Sequence, residues 1–166
     1  MYFTRTTFVG FLMLCASSVI ADDSVTYKTA KEQGVTTCLA QIKKVGNFII
    51  KENSHASHDI WNSKNVDKRM FSSFLVKGYS DGDSHVSIVV GPDQTGNCYA
   101  EYNETSFWPK SCSVLREETF SVFKFSGSMK STSIVLKNED DSVNIYMTPQ
   151  DGGKSCLTTK REVIYY

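Results

Sequence analysis

An α+β fold is what this sequence predicts: one N-terminal amphipathic helix packed on an antiparallel β-sheet, closed by two disulfides. Three observations carry the expectation. Apolar residues recur at steps of three and four over residues 35–49, the spacing of one helix face. From Met70 onward the period shortens to two, and β-forming residues alternate between short polar turns. Four cysteines remain once an N-terminal leader is set aside, an even number that suits two disulfides in an exported chain.

Residues 1–21 have the three parts of a secretory signal. Arg5 supplies the positive start, residues 8–15 are apolar apart from Gly10, and Val19 and Ala21 are small residues ahead of Asp22 and Asp23. The apolar run is shorter than the roughly 20 residues a membrane span needs. Cleavage removes Cys15 and leaves residues 22–166 as a single disulfide-stapled domain without a stable membrane span. The destination is the periplasm or the extracellular space.

Each element follows in order. Residues 27–51 form the helix, with Val35, Cys38, Leu39, Ile42, Val45 and Ile49 on one stripe. Gly34 marks a possible break in it, and Gly46 suits a close approach by a neighbour. The polar stretch 52–69 reads as a connector anchored by Ile60 and Trp61. Strands at 71–79 and 84–90 flank Ser80-Asp81-Gly82-Asp83, a hairpin turn because Asp-Gly adopts positive φ readily. Residues 91–97 form a loop. Strands follow at 98–102 and 108–116, with a turn at 103–107. Residues 119–125 fit a strand or a short helix equally. Strands at 133–137 and 143–148 flank the acidic turn 138–142, and 156–165 closes a meander of six or seven strands. No internal repeat is visible in the residues.

Cys98 and Cys112 lie symmetrically about Thr105. In a hairpin centred there they would face each other within disulfide reach. The expected pairing is therefore Cys98–Cys112, which leaves Cys38–Cys156 to tie helix to sheet.

Composition bounds the function. The 166 residues carry 18 basic and 18 acidic side chains, a net charge of zero. Nucleic acids and anionic lipids attract a basic excess, so neither is an expected partner. His55 and His58 would share a face on a helix, and His85 could complete a weak metal site. The segment lacks the further ligands a zinc motif supplies, and no cofactor is expected. No G-x-S-x-G elbow or S-x-x-K pair is present. Phe107 and Trp108, placed at the tip of the expected hairpin, are candidates for an interface, since aromatic residues are favoured there.

Three functional classes follow. The preferred one is a non-catalytic exported protein that binds another envelope or secreted protein, of inhibitor or immunity type. The second is a small secreted hydrolase using His55, His58 or His85. The third is an outer-membrane or structural envelope protein.

Overall fold

The computed structural model describes residues 23–166. The expected leader at 1–21, with Cys15, lies outside the described residues. Ser24 opens the first helix, α1 (Val25–Glu32), its hydroxyl accepting from the Tyr27 amide at 3.3 Å. Gly34, at φ +83°, ends the segment. The second helix, α2 (Leu39–Ile50), buries Ile42, Val45, Gly46, Ile49 and Ile50. The single helix expected over 27–51 is thus two, broken at the glycine. Gly46 is where they cross: a Cβ there would lie 2.5 Å from the Ser24 hydroxyl. The start of α2 is held from outside. Asp67, in a 3₁₀ turn, accepts from the Thr36 and Thr37 amides at 2.6 and 2.9 Å and from the Thr36 hydroxyl at 2.7 Å. These bonds, the Thr36 amide foremost, hold its carboxyl below the usual range.

Eight antiparallel strands follow: β1 (His55–Ile60), β2 (Phe71–Tyr79), β3 (Gly82–Pro92), β4 (Cys98–Trp108), then β5 (Lys124–Met129), β6 (Ser133–Lys137), β7 (Val143–Gln150) and β8 (Ser155–Tyr165). A third helix, α3 (Cys112–Glu118), sits between β4 and β5. The sheet order is β1-β2-β3-β4-β8-β7-β6-β5. It is two four-stranded meanders joined along β4 and β8, not one meander of six or seven strands.

This arrangement repeats itself. In each half a helix precedes four strands, and each helix packs on the last two strands of its own half, α2 on β3 and β4, α3 on β7 and β8. The disulfides repeat as well. Cys38, just before α2, bonds Cys98, the first residue of β4; Cys112, the first residue of α3, bonds Cys156 in β8. Asn103 pairs with Arg161 across the β4–β8 ladder, each five residues after its strand's cysteine, so a local pseudo-twofold axis passes between them. The repeat is architectural: the two halves share element order and bridges with little residue similarity.

The pairing Cys98–Cys112 and Cys38–Cys156 is therefore corrected to Cys38–Cys98 and Cys112–Cys156. The hairpin about Thr105 does not exist, because β4 runs unbroken through residues 103–107. Its polar residues find partners in the sheet: Thr105 with Thr159 of β8 at 2.9 Å, and Asn103, donating to Glu101 along the same strand, at 3.1 Å. Residues after Pro109 turn into a helix instead of a strand. The Ser111 hydroxyl accepts from the Val114 amide at 3.3 Å and caps α3.

Both helices cover the same face. Cys98 is bonded to the start of α2, and Trp108, ten residues on and so on the same side of β4, pairs with Cys156 beneath α3. The larger core packs α1 and α2 on β2, β3 and β4, with Ile42, Leu75, Val86, Ile88 and Tyr102 almost fully buried. A smaller core lies under α3, around Leu115, Leu136, Ile145 and Met147. Among the described residues no helix is long and apolar enough to cross a membrane. Two disulfides are compatible with an oxidising compartment.

Candidate functional site

The helix-covered face is left open between α2 and α3. Paired positions Glu104–Lys160 and Ser106–Thr158 of β4 and β8 form the floor of a cleft of about 380 Å³. Tyr79 and the β2–β3 turn, with Asp81, Gly82 and Asp83, wall one side; Thr119 and Phe120, following α3, wall the other. Trp108 and Pro109 close one end, with Phe107 at the lip.

The floor is built on a buried charge pair. Lys77, 4% exposed, donates to Glu104 Oε1 at 3.0 Å. The Tyr79 and Ser84 hydroxyls donate to the same oxygen at 2.8 and 3.1 Å. Burial works to raise the Glu104 carboxyl, but the bonds from Tyr79 and Lys77, with the ammonium's charge, outweigh it and hold the pKa below its ordinary value. For Lys77 burial works downward, and its bonds to Tyr79 and Glu104 outweigh it and raise the pKa. The site therefore holds a fixed carboxylate across the neutral range. A carboxylate bound this way is a weak proton acceptor and a strong electrostatic anchor. The indole of Trp108 is fixed too, its Nε1 donating to Thr158 Oγ1 at 2.8 Å.

Phe107 is 61% exposed. It and Pro109 also border a second depression, of about 520 Å³, lined by Gln150, Asp151, Lys154, Ser155 and Leu157. Ser155 is 6% exposed, and its buried hydroxyl has no hydrogen-bond partner among the described residues. An unpaired buried hydroxyl costs roughly 1–3 kcal/mol.

The three histidines are not brought together. They lie on strands, where residues three apart point to opposite faces, whereas a shared face for His55 and His58 required a helix. His55 faces α1: its Nε2 accepts from the Val25 amide at 3.0 Å and Nδ1 meets the Asn53 carbonyl at 3.1 Å, which places the proton on Nδ1. It serves as a strut between α1 and the sheet. His58 and His85 lie on the opposite, helix-free face, where His85 packs on the Phe74 ring at 5.3 Å between centroids. Among the described residues no group of three or more His, Cys, Asp or Glu side chains is placed to hold a metal. Of the residues singled out in the sequence, Phe107 and Trp108 do border the cleft, on a strand end and not on a hairpin tip.

Glu104, Lys77, Tyr79 and Lys160 were not singled out by sequence reasoning. The only signal was the alternation of charged residues within otherwise β-forming strands, which reads equally well as an outward-facing row. No family model matches the chain, and no curated protein or solved structure shows significant similarity to it.

Proposed function

We propose that this chain is a non-catalytic, exported protein-binding module, of inhibitor or immunity type, acting in the periplasm or extracellular space. The observation that carries the reading is the Phe107-Trp108-Pro109 corner, which stands between two depressions of about 380 and 520 Å³. An exposed aromatic ring at a corner between two depressions is the surface chemistry of a protein interface. The leader motif and the paired cysteines support export. Among the candidate bases, Glu104 is tied to three donors and none of the histidines borders the cleft, which supports binding over hydrolysis.

The test is site-specific photocrosslinking. A benzophenone side chain is placed at position 107 in one preparation and at Val122 in another; Val122 is 80% exposed and borders neither depression. Both are expressed in the native host envelope. The expected result is one stoichiometric protein adduct from position 107, absent from 122 and lost in Trp108→Ala. No adduct, or the same adducts from both positions, overturns the reading.

A further inference from the structure

We infer that the cleft between the halves receives a cationic side chain, an arginine or a lysine, from the bound partner; the inference rests on the protein-binding reading above. The cleft's charge is unbalanced in a chain whose total is zero. Its lining holds three carboxylates, Asp81, Asp83 and Glu104, and one ammonium, Lys160; Glu104 is also paired with the buried Lys77 of the floor, so the excess of negative charge rests on Asp81 and Asp83. The Lys160 ammonium is already engaged, lying 5.5 and 5.6 Å from the ring centres of Phe48 and Tyr102.

Glu104 is the anchor. Its three donors converge on Oε1, so among the described residues Oε2 is the oxygen left for the cleft. The Glu104 side chain is only 16% exposed, and a charge-assisted bond is stronger at a partly buried group than at an open surface. Around it stand the rings of Tyr79, Trp108 and Phe120. The Tyr79 ring already carries the Lys77 ammonium at 4.7 Å, which leaves Trp108 and Phe120 as the rings for an incoming group, and ring faces favour a cation over a neutral group of the same shape. Asp81 and Asp83, on the exposed β2–β3 turn, add attraction at the mouth, where salt screens it.

The test uses blocked tripeptides, acetyl-Gly-Arg-Gly-amide and its lysine counterpart, with the citrulline tripeptide as the uncharged control. The chain has two tryptophans, so Trp61→Phe leaves Trp108 as the only indole reporter. Saturable change of its emission with the cationic peptides, at least tenfold weaker with citrulline, is expected. Asp81→Asn with Asp83→Asn should weaken binding three- to tenfold, and Lys160→Gln should strengthen it by a similar factor. Opposite signs from two neutral substitutions separate charge recognition from loss of fold, and Glu104→Gln, checked by circular dichroism, should abolish the preference for the cation.

Equal binding of citrulline, or insensitivity to these substitutions, overturns the inference. Should the adduct at position 107 form and the cationic peptides neither bind nor compete with it, the assignment fails while the protein-binding reading stands. Should the peptides bind with no protein adduct in the envelope, a free organic cation is the ligand, and both readings fall.

Discussion

The two halves share element order and bridging pattern, yet differ in how much they bury. Among the described residues, the first is covered by α1 and the 12-residue α2 and encloses a core cluster of fifteen residues; the second has the seven-residue α3 over a cluster of six. The comparison separates two tasks that a single core would combine. The longer helices fill the face of the first half. The shorter helix leaves the β4–β8 seam uncovered, and the cleft lies there. On the proposed reading, binding surface is gained where packing is given up, in line with the placing of functional regions at the less protected end of a fold.

The bridges offer the largest test of this difference. Their loops span 60 and 44 residues, so the chain-entropy model assigns each about 4 kcal/mol, differing by only about 0.3 kcal/mol. Packing should separate them. Replacing Cys112 and Cys156 by alanine is expected to strip hydrogen-exchange protection from β5–β7 while β2–β4 stay protected. Replacing Cys38 and Cys98 should lower protection throughout. Retained protection of β5–β7 in the first variant would break the comparison.

Single core residues give a smaller effect of the same kind. Ile42 and Leu115 are each 1% exposed. Truncation to alanine leaves a cavity whose cost depends on the surrounding density. Ile42→Ala is expected to lose about 4 kcal/mol and Leu115→Ala about 2 kcal/mol, read from urea midpoints at constant slope. Equal losses would mean that the second core is as tightly packed as the first.

The smallest expected effect is the pH dependence of the buried pair in the first half. Glu104 is depressed below its ordinary value of 4.5 in the folded chain. Its contribution is present above that value and is lost as pH falls through the lower folded value. Lys77 is raised above 10.5, so its contribution is present below that pH and is lost as pH rises through the folded value. Stability from the pair should be level across the neutral range and decline at both extremes. Glu104→Gln should lower neutral stability and flatten the acid limb; an unchanged acid limb would show that the carboxylate is not held by its three donors.

Much of the fold was legible from local rules. The α+β class, the β2–β3 hairpin, the glycine break at Gly34 and the close packing at Gly46 all follow from periodicity, turn chemistry and the absence of a side chain. The missed elements have physical reasons. β1 is an edge strand whose alternating polar residues resemble a connector, as polar edges commonly do. The start of α3 was masked by β-forming neighbours although Pro109 and Ser111 mark a helix entry. The bridges were mispaired because symmetry about Thr105 is a local cue, whereas the actual pairing depends on a repeat that shows only in three dimensions. The cleft required the same knowledge: Glu104 and Lys160 lie far apart in the chain and meet only through the β4–β8 register.

That each bridge joins consecutive cysteines has a consequence for assembly. As the chain emerges from its N-terminal end, Cys38 and Cys98 are both available before Cys112 follows. Cys112 follows Cys98 by only 14 residues, and Cys156 is the last of the four to appear. On the proposed export route each native bond therefore joins two cysteines that become available in succession, and neither bond has to span the other to form.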